Sequence, residues 1–444
     1  MSSHFTRRRL LQLGGMAAGA AALSSCVSAN DSSGTGGPSA AAGEPLKPAA
    51  KPSGEITIVD DNTNKLFQAS TIAAFEAKTG IKVKSYSQGN FNDLHDRYAT
   101  LFSAQDSSVD VVMTWAGWSA EFGQAGWLQE LDTSAVPTDL IQPALDAVSW
   151  QGKVYGLPKF SSVQTMFWSK PLFQQAGVDP ETGPQSWDDF VTTAKALTVD
   201  GRYGYACDMG NAAGAYQNFL RVLLLNGGDM YDADYKPIFN SDQGVQALSN
   251  LVDLLQVHKV MDPASLQITN ASDLGDLFAK GATGMVFNWP FQYATATAST
   301  SSLNASTVGN GLIPGMGVRS ASIDGSEGFA INKFSKNKDA ALAWLQFVTG
   351  ADVQKQMVQQ EGWFPVSQSA LTDPASVEAL PVLNTYQEST KYATKRWGTP
   401  WSSELDQLMS VQIIDAMNRK TTPKAALDTL AGQTQALVTK YLKK

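Results

Sequence analysis

Cysteine and histidine are scarce in this chain, and both shortages narrow its chemistry. The 444 residues contain two cysteines and three histidines. Cys26 lies in a leader-like segment, so Cys207 has no partner for a disulfide, and a cysteine-based metal cluster is excluded. His4 lies in the same leader, while His95 and His258 are isolated on predicted helices. The sequence therefore predicts no cofactor and no metal site.

Familiar catalytic motifs are missing as well. The chain has no H-E-x-x-H and no phosphate-binding loop, and residues 117–121 (GWSAE) lack the final glycine of G-x-S-x-G. Residues 309–315 (GNGLIPG) have the wrong spacing for a dinucleotide-binding fingerprint. A glycoside hydrolase needs only two carboxylates beside aromatic rings, so composition leaves that class of enzyme open.

Positive charge is in deficit. The chain has 33 Lys and Arg against 41 Asp and Glu, a net charge of −8. Residues 1–25 contain three arginines and no acidic residue, so their removal takes the net charge to −11. A chain this acidic is not expected to bind nucleic acid or to dock electrostatically on anionic lipid. The charge is uninformative about a neutral ligand.

The amino-terminal apolar run, residues 10–23, is too short to span a bilayer. It follows three consecutive arginines (residues 7–9) and ends in LSSC, which resembles a lipobox whose Cys26 becomes the acylated mature amino terminus. The arginines indicate Tat export, with Sec as the alternative. An ordinary signal peptide with an incidental cysteine is the competing interpretation.

A Ser-, Gly-, Ala- and Pro-rich stretch, residues 27–52, follows the cysteine. It has almost no large apolar residues and is predicted to be a flexible tether with a reach of roughly 25–30 Å. The expected location is extracytoplasmic, with a lipid anchor on the outer face of the cell membrane. A long tether and a Tat lipoprotein signal fit a high-GC Gram-positive envelope.

The remaining chain alternates predicted strands and helices. Residues 55–60, 81–86 and 109–115 have strand-like patterns, and amphipathic segments lie between them. This β-α-β-α-β order predicts a mostly parallel sheet that binds ligands at the carboxyl ends of its strands. Further predictions are a helix opened by a capping box at Ser186, a helix over 243–256 and a strand over 283–288. About 390 residues exceed a usual single-core domain and predict two lobes.

Four segments carry a likeness to a known family: residues 74–83 (AFEAKTGIKV), 110–128, 150–158 (WQGKVYGLP) and 280–291 (KGATGMVFNWPF). In their order and spacing they resemble family 1 of the bacterial extracellular solute-binding proteins, the carbohydrate-binding group that includes maltose-binding protein. The likeness runs from about Ser53 to the carboxyl terminus. Val109 stands where proline is usual, and Trp289 replaces a glycine.

The resemblance implies an α/β, two-lobed periplasmic-binding-protein-like fold of type II, with a hinge of crossing strands between discontinuous lobes. Lobe 1 is expected to comprise residues 53–160 and 312–345, and lobe 2 residues 161–311 and 346–444. The crossings are expected near residues 157–162, 309–314 and 343–350. The lobes are expected to be preceded by the leader (residues 1–25) and by the lipidated cysteine with its tether (residues 26–52).

The resemblance also implies a function: the substrate-binding component of an ABC importer, which captures a mono- or oligosaccharide and delivers it to the transmembrane permease subunits. The protein is then a monomer that performs no covalent chemistry. Two alternatives remain: a secreted glycoside hydrolase, and the same fold binding a polyamine or a carboxylate solute.

Sugar rings stack on aromatic side chains, and the chain has 11 tryptophans. Several aromatic residues fall at predicted strand ends, at crossings or in the segment that the family uses for sugar stacking. These ligand candidates are Trp115, Trp118, Phe160, Tyr216, Trp289, Phe291, Phe329, Trp363 and Trp397. Their competing interpretation is core packing, which is expected for Trp127, Trp150, Trp187 and Trp344.

Polar candidates for binding hydroxyl groups lie beside these rings. They are Asp61, Asn62 and Asn64 after the first strand, Ser162 at the first crossing, Asn211, Gly328 and Arg396. The residues after the first strand also fit a helix cap, and Arg396 fits an ion pair with Glu404. At the first crossing some relatives carry a carboxylate that this chain lacks.

Overall fold

The structure is a computed structural model that describes residues 44–61, 67, 69–87, 91–199, 201–395 and 398–442. For residues 91–93 and 395 it describes the backbone only. All of these residues belong to one compact unit, Ala40–Lys444.

The first part of the chain alternates strands and helices. The elements are β1 (Glu55–Asp60), α1 (Ala69–Thr79), β2 (Lys82–Ser87), α2 (Phe91–Ser103), β3 (Val111–Trp115), α3 (Ala116–Gln124), α4 (Gln142–Asp146), β4 (Ser149–Trp150), β5 (Lys153–Val154) and β6 (Gly156–Phe160).

The next part forms a second α/β segment. Its elements are β7 (Thr165–Ser169), α5 (Lys170–Gln175), α6 (Trp187–Leu197), β8 (Tyr203–Ala206), α7 (Ala212–Leu225), α8 (Asp242–Gln256), α9 (Ala271–Ala279), β9 (Thr283–Asn288), α10 (Gln292–Thr297) and β10 (Val308–Gly311).

The last part returns to both segments and is mostly helical. Its elements are β11 (Ser322–Asp324), β12 (Glu327–Ile331), α11 (Lys338–Val348), α12 (Ala351–Glu361), α13 (Gln368–Leu371), α14 (Pro374–Ala379), α15 (Leu383–Ser389), β13 (Ala393–Lys395), α16 (Ser402–Met417) and α17 (Pro423–Leu442).

Local signals in the sequence account for several of these boundaries. The side chain of Ser186 accepts a hydrogen bond from the backbone N–H of Asp189, so the predicted cap of α6 is confirmed. Gly80 lies between α1 and β2 with φ of +74°, a left-handed conformation that favours glycine. The predicted strand over residues 283–288 is confirmed as β9.

The first sheet has the strand order β2-β1-β3-β12-β6. β1 is parallel to β2 and β3, as predicted, whereas β12 is antiparallel to both β3 and β6. The carboxyl ends of β1, β3 and β6 therefore meet the amino end of β12 at one edge. Glu327, the first residue of β12, pairs with Trp115 on one side and Phe160 on the other.

The second sheet has the order β10-β7-β9-β8. β8 is parallel to β9, and β7 is antiparallel to β9 and β10. Along β7, Met166 and Trp168 belong to one hydrophobic core and Phe167 to another. This alternation with a period of two shows that helices cover both faces of the sheet.

The first sheet has its own core, which packs against α1, α2, α3 and α11. Phe75 of α1 meets Trp344 of α11 edge to face, with ring centroids 5.2 Å apart. Both side chains are fully buried. The two sheets with separate cores confirm the two-lobed α/β fold; lobe 1 denotes the part around the first sheet and lobe 2 the part around the second.

Two of the crossings differ in position from those expected. Residues 161–164 join β6 to β7 and overlap the expected first crossing, residues 157–162. The return to lobe 1 lies at residues 325–326 rather than 309–314, because Ile313 and Ile323 pack in the core of lobe 2 and β11 pairs with β13. The third crossing lies beyond residues 343–350, because α11 packs entirely on lobe 1 and the first lobe 2 core contact after it is Val358.

The chain contacts lobe 1 before the expected start of the globular part at Ser53. The backbone N–H of Leu46 donates to the carbonyl of Glu130 at 2.8 Å, and that of Asp132 donates to Leu46 at 2.9 Å. A soluble form should therefore begin near residue 40. Among the described residues, none of the helices combines the length and the apolar character needed to cross a membrane.

Candidate functional site

The candidate site is the junction of the two lobes, where the crossings bring the strand ends of the first sheet close to lobe 2. We call this junction the cleft base. Because residues 161–164 and 325–326 are short connections, they hold the carboxyl end of β6 and the amino end of β12 close to lobe 2. At these connections, the backbone N–H of Gly325 donates to the carbonyl of Ser162 at 2.7 Å. The base of the cleft is therefore formed by the crossings themselves.

Three aromatic rings span this base. Phe160, at the end of β6, stacks on Trp363 with centroids 4.3 Å apart and an interplanar angle of 27°. Trp363 in turn contacts Phe291, the residue before α10, at 5.6 Å. This aromatic group (Phe160, Trp363, Phe291) contains three predicted site residues and links lobe 1 to lobe 2.

Trp289 lies beside the crossing at residues 325–326 and is half-buried. A Cβ atom on Gly325 would lie 2.6 Å from its ring, so glycine at this position permits the close approach of the indole. The backbone N–H of Trp289 donates to the side chain of Asn288 at 2.9 Å. The segment after β9 thus places one ring against the crossing and a second, Phe291, against Trp363.

A buried lysine, Lys159, stands at the centre of the cleft base on the lobe 1 side. Its Nζ lies 2.8 Å from Asp60, 3.2 Å from Asp61 and 3.1 Å from Glu327. We call these four residues the ion cluster. β1 ends at Asp60 and Asp61 follows it directly, while β12 contributes Glu327 and β6 the lysine, so the sheet topology brings them together.

Burial controls the charge of the ion cluster. It raises the pKa of Asp60 to about 7 and the pKa of Glu327 to about 8, and the neighbouring ammonium offsets only part of this effect. Burial alone would lower the pKa of Lys159, but attraction by the three carboxylates outweighs it and holds that pKa well above its usual range. The lysine is therefore charged, while Asp60 and Glu327 titrate near neutral pH.

Serine hydroxyl groups line the crossings next to the ion cluster. The backbone N–H of Ser162 donates to the Oγ of Ser326 at 3.1 Å. The Ser326 hydroxyl donates to Asp324 at 2.5 Å and lies 3.3 Å from the Ser161 hydroxyl. Ser162 is therefore held at the first crossing through its backbone, as part of a small polar network.

Lobe 2 contributes a second buried network around Arg221 of α7. Its guanidinium donates to Gln164 of the first crossing at 2.9 Å and to Asn218 at 3.1 Å. The amide of Asn218 donates to the carboxylate of Asp208 at 3.3 Å. Burial raises the pKa of Asp208. Charged and amide side chains thus occupy the lobe 2 side of the crossing as well.

Asn211 and Tyr216 are both predicted site residues. Asn211 directly precedes α7, and Tyr216 lies within that helix. The side chain of Asn211 caps the helix by accepting from the N–H of Gly214 at 2.6 Å, and it also donates to the carbonyl of Thr269. Tyr216 is buried in the lobe 2 core. Helix capping and packing account for both side chains, and ligand contact by either stays a prediction.

Trp115 and Trp118 lie at the end of β3 and the start of α3. Their rings meet at 6.3 Å, and the Trp118 ring also packs against Tyr98 and Phe122. Both tryptophans are buried, Trp118 at 2% exposure. Core packing therefore explains Trp118, while Trp115 pairs with Glu327 and lies beside the ion cluster.

Gly328 and Phe329 lie within β12, between β3 and β6. A Cβ on Gly328 would lie 2.6 Å from the carbonyl oxygen of Leu157, so this glycine serves the close approach of strands. The ring of Phe329 is fully buried, and its centroid lies 5.4 Å from the Nζ of Lys159. Phe329 therefore supports the ion cluster from the core side.

Some predicted positions lie outside the described residues. They are Cys26, Asn62, Asn64, Arg396 and Trp397. Of the predicted polar groups after β1, the structure describes Asp61, which it places in the ion cluster.

The sequence predictions missed Lys159, Glu327 and the Arg221 network. One signal was available for Lys159, which interrupts a strand whose five residues are all buried. A lysine in such a position requires a charged partner. Glu327 and Arg221 carried no comparable signal, because their partners are distant in the chain.

Two lobes, joined by crossing segments and presenting polar and aromatic side chains at facing sheet edges, define a ligand-binding receptor of the periplasmic-binding-protein type. The family model for the bacterial extracellular solute-binding proteins matches residues 60–355, more than half of the chain. This chain belongs to that family, as the sequence resemblance predicted.

Individual relatives agree with this assignment. A probable amino-acid ABC transporter periplasmic-binding protein of Sinorhizobium fredii is 26% identical over 84% of this chain and 90% of its own length. The mannitol-binding protein of Pseudomonas aeruginosa is 26% identical over 68% of this chain and 70% of its own length. The structure of maltose-bound MalE3 of T. maritima has a TM-score of 0.80 at 26% identity, covering 86% of this chain and 100% of that one. The first two relatives are named as binding proteins, and the third is described as bound to maltose.

Proposed function

We propose that this protein captures a saccharide or a related polyol between its two lobes and hands it to the membrane subunits of an ABC importer. The observation that carries the proposal is the cleft base, where an aromatic group lies directly beside a charged cluster. Lys159 of the cluster and Phe160 of the aromatic group are consecutive residues at the end of β6. A sugar has an apolar C–H face and a rim of hydroxyl groups, which match the aromatic group and the charged cluster respectively.

Each surface has a distinct task in binding. The C–H face of a sugar ring packs on Trp289 or Phe291, both half-buried, which supply apolar contact at little cost in side-chain entropy. The hydroxyl rim donates to the carboxylates of Asp61 and Glu327, and hydrogen bonds to charged acceptors are the stronger kind. Affinity then depends on both surfaces being engaged at the same time.

Relatives support the solute class. One solved relative is bound to maltose, and a curated relative is named for mannitol. Another relative is named for an amino acid, so the ligand panel must include amino acids. Lobe closure about the crossings on ligand binding is the standard motion of this architecture, and the permease would sense the closed form.

The protein would act without covalent chemistry. Three carboxylates share a single ammonium in the ion cluster, an arrangement suited to accepting hydrogen bonds. A glycosidase instead needs two carboxyl groups on opposite sides of a glycosidic bond, whereas these three converge on one ammonium within lobe 1. Recovery of the bound saccharide intact after incubation would support a receptor, whereas its cleavage would contradict one.

We further propose that the protein is an extracytoplasmic lipoprotein, exported by the Tat route, anchored through Cys26 and monomeric. The arginines at residues 7–9, the LSSC sequence and the Ser- and Gly-rich segment after it support the anchor. The test is metabolic labelling with a palmitate analogue. Label in the wild type that disappears in Cys26→Ala is expected, and equal labelling of both would contradict the anchor.

The binding test uses a soluble form of residues 40–444 and thermal unfolding. The panel contains maltose, mannitol, glucose, xylose and cellobiose, with putrescine, glutamate and glycine as the competing classes. A ligand of the folded state raises the melting temperature by mass action. We expect a shift with at least one saccharide or polyol and none with the other classes; the reverse would overturn the ligand class.

A matched pair of variants locates the site. Phe291→Ala removes a ring from the aromatic group and should abolish the shift. Tyr203→Ala removes a half-buried ring from the start of β8, at the opposite end of the lobe 2 sheet, and should preserve it. Equal effects of both variants would show that the cleft base is not where the saccharide binds.

A further inference from the structure

The ion cluster carries more negative than positive charge. Asp60, Asp61 and Glu327 surround the Lys159 ammonium within 3.2 Å. Full ionisation would leave a net charge of −2 in a buried position, which is strongly unfavourable. Within the described part of the chain, the second oxygen of Asp60, Oδ2, is buried and has no hydrogen-bond partner. The cluster is therefore built to hold protons or to receive hydrogen-bond donors.

The four side chains lie at different depths. The lysine side chain is 0% exposed and that of Asp60 is 4% exposed, whereas Asp61 and Glu327 reach 10% and 14%. The Nζ also lies 5.3 Å from the Phe160 ring centroid and 5.4 Å from that of Phe329. Enclosed between two rings and three carboxylates, the ammonium is unable to contact a ligand.

We propose, on the basis of the proposed function, that Lys159 is a positioning residue. It holds Asp61 and Glu327 toward the cleft as acceptors for ligand hydroxyl groups. Binding of a saccharide then displaces protons from the ion cluster. Lys159 and Asp60 then set the charge of the site without touching the ligand. The result is a receptor whose affinity for a neutral ligand depends on pH.

The direction of this dependence follows from the charge states. A hydroxyl group that donates to a carboxylate stabilises its ionised form. Because burial raises the pKa of Asp60 to about 7 and that of Glu327 to about 8, the unliganded cluster carries protons at neutral pH. Ligand binding releases them, so the affinity rises as the pH rises from about 6 to about 9.

Among the residues that the structure describes, Tyr98 is the further titratable group packed near the cluster, and it does not change this direction. Besides the carboxylates of β1 and β12, the hydroxyl of Tyr98 on α2 lies behind β1 and donates to the carbonyl of Val59 at 2.9 Å. Burial raises the pKa of Tyr98 well above its usual range. Tyr98 therefore stays neutral throughout this pH range.

Isothermal titration calorimetry of residues 40–444 tests the proposal, with the saccharide or polyol from the thermal panel that gives the largest shift. Titrations at pH 6 and pH 8.5, each in two buffers of different ionisation enthalpy, give both the Kd and the number of protons released. We expect the Kd to fall by about three- to tenfold between the two pH values, with net proton release.

Two variants separate positioning from folding. Asp60→Asn is nearly isosteric and leaves one ammonium with two carboxylates, so it should bind more tightly than the wild type at pH 6 and show a flatter pH profile. Lys159→Gln removes the ammonium and should weaken binding at pH 7 by about tenfold or more, with the rise in affinity displaced to higher pH. A lysine with a merely structural role would produce neither profile.

Lys153→Gln is the matched control. Lys153 pairs with one carboxylate, Glu130, at 2.8 Å on the surface of the same lobe, and this variant should keep the wild-type profile. A wild-type Kd that is equal at pH 6 and 8.5 without proton release, or an Asp60→Asn profile identical to the wild type, would overturn the inference. Failure of every saccharide and polyol to bind at any pH would instead overturn the proposed function.

Discussion

At the scale of single residues, the protonation of His95 is linked to the stability of the folded state. Its Nε2 lies 3.0 Å from both carboxylate oxygens of Glu121, and its ring stacks on Phe122 at 5.4 Å. Burial lowers the pKa of His95, but the hydrogen bonds and charges of Glu121 and of Asp96, whose Oδ1 lies 3.2 Å from Nδ1, together outweigh burial, so the pKa lies above its usual value. The stabilisation is complete below the unfolded-state pKa and is lost as the pH rises through the folded-state pKa.

We therefore predict that His95→Gln lowers the melting temperature more at pH 5.5 than at pH 8.5. Thermal unfolding at the two pH values measures the difference. In a Glu121→Gln/Asp96→Asn background the same substitution should have an equal effect at both pH values, because both anionic partners of His95 are gone. A pH-dependent loss that persists in this background would assign the effect to another group.

Trp344 shows how much a single core side chain contributes to the free energy of unfolding. It is fully buried between Phe75 and Phe329, with centroids at 5.2 and 6.4 Å. Trp344→Ala should lower the free energy of unfolding by about 3–5 kcal/mol through lost burial and a residual cavity. Urea denaturation followed by circular dichroism measures this. Val411→Ala, at a site 58% exposed on α16, should change it by less than about 0.5 kcal/mol.

At the scale of elements, the clearest contact between the lobes outside the crossings joins α3 to α16 and α17. The hydroxyl of Ser403 donates to Glu121 at 3.1 Å, and the amide of Gln124 donates to the carbonyl of Tyr441 at 3.0 Å. α3 follows β3 in lobe 1, whereas α16 packs in the core of lobe 2. These hydrogen bonds therefore stabilise one arrangement of the two lobes.

Removing these contacts should shift the molecule toward a more open form. The double variant Ser403→Ala/Gln124→Ala loses two hydrogen bonds, each worth about 0.5–1.5 kcal/mol. It should enlarge the radius of gyration without ligand and weaken saccharide binding by about three- to tenfold. Small-angle scattering and calorimetry measure the two effects. Ser410→Ala, also on α16, should leave both unchanged; an effect as large as that of the double variant would refute the assignment.

At the scale of the whole molecule, the crossing at residues 325–326 couples the lobes to the binding surface. A Cβ on Gly325 would lie 2.6 Å from the ring of Trp289. Gly325→Ala should therefore displace the ring and weaken saccharide binding by about tenfold or more, with the fold retained. Calorimetry measures the affinity, and circular dichroism checks the fold.

Gly432→Ala is the control for this substitution. Gly432 lies inside α17, and a Cβ there would meet no atom within 4 Å. Alanine at this position should stabilise the helix by about 0.5–1 kcal/mol and leave the affinity unchanged. If Gly325→Ala bound saccharide like the wild type, the contact between the crossing and Trp289 would have no part in recognition.

Much of the fold could be predicted from local sequence patterns. Alternation and β-branched content predicted β1, β2 and β3, and the serine cap predicted the start of α6, because these signals act between neighbouring residues. The resemblance over residues 74–83, 110–128, 150–158 and 280–291 predicted the two-lobed family. The second and third crossings were placed wrongly, since the lobe to which residues 313–323 belong depends on core contacts far away in the chain.

The candidate site, like the fold, has a part that the sequence predicted and a part that it did not. The sequence alone determined the aromatic candidates after β9 and the acidic residue after β1, because their positions follow from strand ends. Only the tertiary structure decided that Lys159 meets Asp60, Asp61 and Glu327 within 3.2 Å. Those residues lie on three strands of one sheet or, in the case of Asp61, directly after one of them. Their meeting depends on the strand order and register that packing selects. Local sequence carries little information about such long-range pairings, and they set the charge of the proposed binding site.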